Sequence, residues 1–275
     1  AAADLRNLLH AIVAEAAAPG PLEQLQIVDH HQANAFLPLQ PARPGAQRGN
    51  GQAGRIVDVK RQRLQVGSCA REGGELLALS GKRIMDIVLS SILLILIAPI
   101  LLVVALLVKL SSPGPIFFVQ ERLGRGGRRF RILKFRTMVT GAEGFLAAVA
   151  ARKMTDGPAF KSKNDWRVTP IGRWLRRFSL DELPQIINVL LGDMSLVGPR
   201  PLPVHEALEV AGTHRRRFTM RPGITCTWQV SGRSDIPFAK WMMMDVDYVD
   251  GWSLWTDIKL LFRTIPAVIS GRGAY

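Results

Sequence analysis

A run of 22 residues without a charged side chain, Ile87–Val108, constrains the fold of this chain more than any other feature. A helix needs about 20 apolar residues to cross the hydrocarbon core of a bilayer. Core helices of soluble proteins are seldom apolar on every face over such a length. The run therefore predicts a helix inserted into a membrane, and a buried core helix is the weaker interpretation.

Proline and basic residues indicate how this helix meets the membrane. Pro99 lies near the middle of the run, where proline removes a backbone donor and favours a kink. Lys82 and Arg83 precede the run and Lys109 follows it. Because basic flanks tend to stay in the cytoplasm, we expect the helix to bend at Ala98 and Pro99 and return to the same face. A kinked helix that spans the membrane is the alternative.

The charge of the chain is strongly basic and unevenly distributed. The net charge is +14, and from Glu121 to Phe178 there are 15 Lys and Arg against 4 Asp and Glu, a local net charge of +11. Such a region favours an anionic partner, such as lipid headgroups or phosphorylated substrates. Nucleic acid is disfavoured because aromatic residues make up only 7% of the chain and no nucleic-acid-binding module is recognisable.

The chain divides into three parts. Residues 1–80 are weakly patterned, and Pro, Gly, Gln, Ala and Arg dominate 38–54, which is typical of an extension or linker. The membrane helix occupies 81–110, and a C-terminal domain occupies 111–275. The two cysteines lack metal-ligand or C-x-x-C spacing, which fits a reducing compartment for this domain.

The C-terminal domain combines strands with helices. Ile116–Gln120 and Arg129–Met138 are predicted strands joined by the glycine-rich segment 124–127. Near the C-terminus, an apolar stripe opposite Asp257, Lys259 and Arg263 predicts a helix that packs on the core or lies at the membrane interface. The stripe consists of Trp252, Trp255, Ile258, Leu261, Phe262 and Ile265. We therefore expect an α/β (α+β) fold with a small sheet and surrounding amphipathic or interfacial helices.

Two adjacent carboxylates, Asp181 and Glu182, precede another amphipathic helix, which Gly192 ends. Ser179 and Glu182 fit a capping box, or Asp181 is itself the N-cap. The predicted core side of this helix consists of Leu183, Ile186, Ile187, Leu190 and Leu191. Acidic residues are favoured at a helix start by the helix dipole, so the pair alone has a structural explanation.

Basic residues around the pair favour a chemical role. Arg173, Arg176 and Arg177 come shortly before it, and Arg200 follows in the sequence GPRP. Carboxylates and arginines together can hold a divalent metal and a diphosphate, since Mg²⁺ takes few carboxylates plus phosphate oxygens and arginine binds phosphate with two donors. No G-x-S-x-G, H-E-x-x-H or Walker A pattern is present.

Three separated motifs together resemble the bacterial sugar transferase family, the monotopic phosphoglycosyl transferases. They are GKRIMD with the apolar run and KFRTM, then SLDELPQIINVLLGDMSLVGPRP, then RPGITCTWQVSGR. The resemblance covers about Gly81 to Ser270, some two thirds of the chain. It implies a re-entrant membrane helix bent at Ala98 and Pro99. It also implies an enzyme that transfers a sugar-1-phosphate from a UDP-sugar to undecaprenyl phosphate and releases UMP.

The resemblance also implies roles for individual residues. Asp181 corresponds to the nucleophile that carries the phosphosugar, and Glu182 to a metal ligand or base. Mg²⁺ is the implied cofactor, held by Asp181 and Glu182. Lys134, Arg176 and Arg200 correspond to phosphate-binding positions, and Arg221 is a weaker candidate of the same kind. The segment that follows Arg221 is either packed or placed around the nucleotide-sugar.

The resemblance further implies a bacterial inner-membrane protein whose catalytic domain faces the cytoplasm, with membrane lipid as a further partner. The reaction would be the first membrane step of exopolysaccharide, capsule or O-antigen synthesis. A non-catalytic, membrane-anchored basic binding protein is the main alternative, and a nucleotide-sugar hydrolase is a third. The identity of the sugar stays open, as does the oligomeric state, for which a homodimer is one option.

Overall fold

The computed structural model describes residues 69–145, 165–271 and 273, with side chains from residue 77 onward. The description below concerns the described residues from Gly81 onward, which belong to one compact unit. The proposed extension 1–80 thus lies almost entirely outside the described residues. The described part combines helices with small sheets, which confirms the expected mixed fold class in its coarse form.

The described residues form six α-helices and four β-strands, with short 3₁₀ turns between some of them. The helices are α1 (Cys69–Ser111), α2 (Pro170–Arg177), α3 (Gln185–Leu191), α4 (Val204–Glu209), α5 (Phe238–Asp250) and α6 (Leu254–Ser270). The strands are β1 (Phe117–Leu123), β2 (Arg129–Phe135), β3 (Ser195–Val197) and β4 (Gly223–Thr225). β1 pairs with β2 antiparallel, and β3 pairs with β4 parallel, in two separate two-stranded sheets.

Helix α1 contains the apolar run and is long enough to cross a membrane. Within its segment Leu77–Ser111, an 18-residue stretch has a mean hydropathy of 3.2, and this is the one such helix among the described residues. The helix continues through Ala98 and Pro99 without interruption, so the structure shows no break there. Most side chains around the proline are exposed, including Ile95 and Leu96. A membrane would cover this surface.

Polar side chains attach the first part of α1 to the rest of the unit. Lys82 donates to the Asp257 carboxylate at 2.5 Å and to the Val197 carbonyl at 2.9 Å. Asp86 accepts at 3.0 Å from the backbone N–H of Leu196. These groups are buried, and buried charges are tolerated when they are paired and hydrogen-bonded. The segment of α1 that contains Lys82 and Asp86 is therefore docked on the domain.

Apolar packing attaches the last part of α1 to the same unit. Val104 and Val108 are buried in a cluster with Phe135 of β2 and Leu175 of α2. Between Ser90 and Val104 no side chain of α1 is buried, although these residues are about 21 Å apart along an α-helix. The helix thus contacts the domain near both ends and exposes its apolar middle.

The predicted hairpin is confirmed, with strand bounds shifted by a few residues. Phe117 pairs with Phe135 at the open end and Leu123 with Arg129 beside the turn. The rings of Phe117 and Phe135 stack with centroids 5.4 Å apart. Gly126 in the turn has φ +68, a conformation that glycine adopts readily. The hairpin places Lys134 one residue before the end of β2.

Helix α6 is amphipathic as predicted, but one residue of its predicted polar face, Asp257, is buried. Asp257 was expected on the exposed polar side and is instead fully buried, as is Leu260. The reason is that its carboxylate accepts hydrogen bonds from Lys82 and, at 2.6 Å, from the Tyr248 hydroxyl. The exposed side of α6 includes four large apolar side chains, namely those of Trp255, Phe262, Ile265 and Ile269.

The parallel pair β3–β4 depends on a close backbone approach at Gly223. A Cβ at this position would lie 2.0 Å from the backbone nitrogen of Gly198. We therefore expect Gly223→Ala to destabilise the protein by about 3 kcal/mol, since overpacking against backbone cannot relax by a rotamer change. Thermal unfolding in detergent measures the loss. The matched control is Gly144→Ala, whose Cβ meets nothing within 4 Å, and equal unfolding temperatures for the two variants would contradict the prediction.

Candidate active site

The carboxylate pair lies in a short 3₁₀ turn, Leu180–Glu182, between α2 and α3. The predicted capping box is wrong. Ser179 has a left-handed backbone (φ 54) and its side chain makes no capping hydrogen bond, and α3 begins only after Pro184. Asp181 is likewise not an N-cap. The physical reason is that both carboxylates point into a cluster of cations, so neither is used to satisfy the helix start.

Helix α3 holds this turn against the hairpin. Its predicted end at Gly192 is confirmed by a left-handed φ of 90, and Ile186 and Leu191 are buried as predicted. Buried Asn188, which the apolar pattern did not identify, accepts from the backbone N–H of Leu133 at 3.0 Å and donates to the Arg131 carbonyl at 2.7 Å. These bonds fix α3 beside β2, and so place Glu182 within reach of Lys134.

Glu182 is held by two of the predicted basic residues. Lys134 Nζ donates to Glu182 Oε1 at 2.7 Å. Arg200 binds the same carboxylate with two nitrogens, Nη2 to Oε1 and Nη1 to Oε2, the latter at 3.1 Å. Burial acts to raise the pKa of Glu182, but Arg200 and Lys134 outweigh it and hold the pKa well below its ordinary value. Glu182 is therefore a fixed carboxylate.

Asp181 has a different environment from its neighbour. It is buried, yet no hydrogen bond to its carboxylate comes from the part of the chain that the structure describes. Burial raises the pKa of Asp181, Lys134 opposes this, and the charge of Glu182 raises it further. A desolvated carboxylate without fixed donors is a better nucleophile than one tied into salt bridges.

Arg176 lies on the same side of the site. Its Nε donates to the Thr137 hydroxyl at 2.9 Å, which orients the guanidinium. Burial lowers the pKa of Arg176, and the carboxylates of Asp181, Asp165 and Glu182 act against that change. The structure thus brings Lys134, Arg176 and Arg200 together around the pair.

Arg221 occupies another place. Its Nε donates to the Gly192 carbonyl at 3.0 Å, at the C-terminal end of α3. Arg83 of α1 lies beside it and donates to the Val189 carbonyl at 2.6 Å and the Leu190 carbonyl at 3.0 Å. These contacts add donors to carbonyls at the C-terminal end of α3. Among the described residues, no hydrogen bond or ion pair joins Arg221 to Asp181 or Glu182.

Two arginines near the pair were not predicted. Burial, together with Arg200, lowers the pKa of Arg122 to about 10, and its Nη1 donates to the Pro201 carbonyl at 3.0 Å. Arg233 has a left-handed φ of 52, and its Nη1 is buried without a hydrogen-bond partner among the described residues. Glu182 acts electrostatically on both. In the sequence, Arg122 was one of the many basic residues between Glu121 and Phe178, and Arg233 was the last residue of the third motif.

A buried pair behind Arg200 positions it. Arg217 donates to the Arg200 carbonyl at 2.6 Å and to Asp245 Oδ2 at 2.6 Å, and Trp241 Nε1 donates to the same oxygen at 3.0 Å. Trp228 is buried and packs on Trp241, with ring centroids 4.5 Å apart. The segment after Arg221 is thus packed at Trp228, in agreement with the first of the two interpretations from sequence.

The donor set is compatible with Mg²⁺. Asp181 and Glu182 supply hard carboxylate oxygens, and Mg²⁺ commonly takes one or two carboxylates and completes its shell with water and substrate phosphate. The structure groups no three His, Cys, Asp or Glu side chains as a metal cage within the ranges it describes. Two carboxylates are enough protein ligands for Mg²⁺, which completes its shell with water and phosphate.

A protein-family model, described as bacterial sugar transferase, matches residues 77–271 of this chain. The chain is 40% identical over 207 residues to the exopolysaccharide production protein ExoY of Rhizobium meliloti, covering 70% of this chain and 88% of ExoY. It is 44% identical over 202 residues to the UDP-glucose:undecaprenyl-phosphate glucose-1-phosphate transferase of Caulobacter vibrioides, covering 70% of this chain and 72% of that protein.

Other relatives are longer than the matched region. The match to the galactosyl transferase CpsE of Streptococcus agalactiae is 46% identical over 162 residues, but it spans 58% of this chain and only 36% of CpsE. The region that matches the family model, residues 77–271, contains the hairpin, the carboxylate pair and the basic cluster. The chain therefore belongs to the bacterial sugar transferase family.

Proposed function

We propose that this protein transfers a sugar-1-phosphate from a UDP-sugar to undecaprenyl phosphate through a covalent intermediate on Asp181. The observation that carries the proposal is the contrast between two adjacent buried carboxylates. Glu182 is held by Lys134 and Arg200, whereas no described residue donates a hydrogen bond to the Asp181 carboxylate. Relatives named as undecaprenyl-phosphate glucose and galactose phosphotransferases support the same reaction class.

In the first step, an Asp181 carboxylate oxygen attacks the β-phosphorus of the UDP-sugar. The new oxygen–phosphorus bond forms as the bond from that phosphorus to the bridging oxygen breaks, and UMP leaves with the bridging oxygen and its electron pair. Lys134, Arg176 and Arg200 stabilise the charge on the phosphoryl oxygens. Their positions are fixed by hydrogen bonds before substrate binds, so little reorganisation is needed.

In the second step, a phosphate oxygen of undecaprenyl phosphate attacks the phosphorus of the aspartyl phosphosugar. The bond to Asp181 breaks and the carboxylate is regenerated. The product is a lipid diphosphate sugar, and no net proton transfer is required. Mg²⁺, when held by Asp181 and Glu182, would neutralise phosphate charge and favour departure of UMP.

We infer that α1 is a re-entrant helix at the cytoplasmic face of the bacterial inner membrane. Its helix continues through Pro99, and its docking on the domain at two places supports the re-entrant form. Both Lys82 and Val108 contact the same unit, and a domain on one side of a bilayer reaches only one end of a straight spanning helix. Exposed apolar residues on α6, such as Trp255 and Phe262, fit an interfacial position beside α1, since tryptophan is enriched at membrane interfaces.

Reporter cysteines test this topology. We expect Gly81→Cys and Leu110→Cys, in a Cys69→Ser background, both to react with an impermeant maleimide in inside-out vesicles and not in intact spheroplasts. Gly81 has open space around it and Leu110 is exposed, whereas Cys226 is buried. Labelling of the two positions from opposite sides would show a spanning helix instead.

Arg200→Lys tests the phosphate role of the basic cluster. We expect a loss of about 10- to 100-fold in kcat/KM, because lysine keeps the charge but not the two-nitrogen grip on Glu182 and phosphate. The control is Arg129→Lys, an exposed arginine paired with Glu121 on the hairpin surface. If both variants turn over like the wild-type protein, Arg200 does not act in the reaction.

The proposed activity is tested by UMP release from a panel of UDP-sugars with Mg²⁺, with and without undecaprenyl phosphate. We expect multiple turnovers only with the lipid and with one preferred sugar. UMP release that is independent of lipid would indicate a nucleotide-sugar hydrolase. No release from any donor by folded protein would favour a non-catalytic binding protein.

A further inference from the structure

The chain leaves α6 against the end of α2. Helix α6 ends at Gly271, whose backbone is left-handed (φ +60) and whose N–H donates to the Val268 carbonyl at 3.2 Å. A Cβ at Gly271 would lie only 3.0 Å from Cγ of Arg177, the last residue of α2. Asp181 follows Arg177 by four residues. The chain beyond α6 therefore begins in close contact with the segment that leads into the carboxylate pair.

The same chain then contacts the 3₁₀ turn that begins at Arg233. The Gly273 carbonyl accepts a hydrogen bond from the backbone N–H of Ser234 at 3.2 Å. Gly273 has φ +66, and a Cβ there would lie 2.7 Å from the Gly232 carbonyl oxygen and 3.1 Å from Cβ of Arg233. Such a close approach of two backbones requires glycine. The two described residues beyond α6, Gly271 and Gly273, are called the C-terminal strap below.

Arg233 links this turn to the active site. Its backbone N–H donates to the Trp228 carbonyl at 3.1 Å, and the Arg200 guanidinium lies over the Trp228 ring, 5.9 Å from its centroid. Burial lowers the pKa of Arg233, and the charge of Glu182 opposes this change. Its Nη1 is buried without a hydrogen-bond partner among the described residues, which costs free energy. A phosphate oxygen of the UDP-sugar is a partner that would satisfy it.

The backbone of Arg233 needs support from its surroundings. Its φ of 52 is left-handed, a conformation that is unfavourable for residues other than glycine and persists only where neighbouring structure holds it. On one side, the Arg233 N–H is bound to Trp228, and on the other the next N–H, of Ser234, is bound to Gly273. Loss of the bond to Gly273 would let the turn relax and move the Arg233 side chain.

We propose that the C-terminal strap is a positioning element of the active site, in which Gly273 holds the turn so that Arg233 meets the UDP-sugar. This inference rests on the proposed function and adds a residue that lies beyond the region matched by the family model, 77–271. Gly273 acts through Arg233, so its contribution is to place a cation before substrate binds. The UDP-sugar brings two phosphates and the lipid brings one, so this cation serves the donor half of the reaction.

Gly273→Ala tests the strap, with Gly212→Ala as the matched control. Both glycines have a positive φ, +66 and +60, so the two substitutions introduce similar backbone strain, but a Cβ at Gly212 meets nothing within 4 Å. We expect Gly273→Ala to lower kcat/KM for the UDP-sugar by about 10-fold or more, because a misplaced binding group is costly. Single-turnover release of UMP without lipid should slow, and KM for undecaprenyl phosphate should not change. Gly212→Ala is expected to match the wild-type protein in all three measurements.

A shortened chain removes the strap contact without introducing a clash. Deletion of residues 272–275 removes the carbonyl to which Ser234 donates, and we expect it to reproduce the loss seen in Gly273→Ala with an unchanged unfolding temperature. A double-variant cycle then separates positioning from general damage. In an Arg233→Gln background, Gly273→Ala is expected to add less than about 2-fold, because both substitutions act through the same guanidinium.

Two results would overturn the role of the strap. One is full additivity of Gly273→Ala and Arg233→Gln, and the other is wild-type kinetics in both Gly273→Ala and the shortened chain. In either case the wild-type protein still releases UMP in a lipid-dependent manner, so the proposed function stands. Absence of lipid-dependent UMP release from the wild-type protein would instead overturn the proposed function, and the strap proposal with it.

Discussion

Asp181→Asn is expected to lower transfer by about 10³-fold or more while the protein stays folded. An amide of the same size cannot form the covalent phosphosugar, and removal of a nucleophile is among the largest single losses that enzymes show. Because no hydrogen bond from the described residues holds the Asp181 carboxylate, its replacement leaves Lys134 and Arg200 paired with Glu182. The loss should therefore be one of chemistry and not of structure.

The measurement is lipid-dependent UMP release, with the unfolding temperature recorded on the same samples. Asp193→Asn is the matched control, since it makes the same chemical change just after α3, beyond the opposite end of that helix from the carboxylate pair. We expect this control to retain activity close to that of the wild-type protein. Turnover by Asp181→Asn at the wild-type rate would contradict the assigned nucleophile.

Lys82→Met is expected to destabilise the protein by about 3 kcal/mol or more, because removing one partner of a buried ion pair leaves an uncompensated charge. The Lys82 and Asp257 side chains are 6% and 0% exposed, with nitrogen and oxygen 2.5 Å apart. Asp257 would keep bonds from Tyr248 at 2.6 Å and Trp252 at 3.1 Å, which do not neutralise its charge.

Thermal unfolding in detergent measures this effect, for which we expect a fall of about 6 to 12 °C for a domain of this size. The control is Lys109→Met at the other end of the apolar run, where the lysine is exposed and donates only to the Gly114 carbonyl at 3.3 Å. An equal shift in the two variants would show that the Lys82–Asp257 pair does not anchor α1.

The parts of the fold that depend on local pattern were predicted from the sequence. The apolar run, the hairpin and the end of α3 at Gly192 follow from hydropathy, strand spacing and a left-handed glycine. Family resemblance assigned Lys134 and Arg200 to phosphate binding near the carboxylate pair. Their pairing with Glu182, from which 48 and 18 residues separate them, was not predicted, since no local pattern specifies such distant contacts.

The errors concern residues whose partners lie far along the chain. Asp257 appeared to belong to a solvated face because its partner Lys82 is 175 residues away. The capping box at Ser179 was locally reasonable, but tertiary pairing of Glu182 with two cations is stronger than a cap. Arg233 was missed because its left-handed backbone and buried nitrogen are properties of the folded chain alone.

The most direct test of the proposed mechanism is the intact mass of the protein after mixing with its UDP-sugar and Mg²⁺ in the absence of lipid. The covalent mechanism predicts a gain of one phosphosugar that maps to the peptide containing Asp181, disappears when undecaprenyl phosphate is added, and does not form in Asp181→Asn. Lipid-dependent transfer without any adduct, under conditions that trap acyl phosphates, would contradict the mechanism and indicate direct displacement by the lipid phosphate.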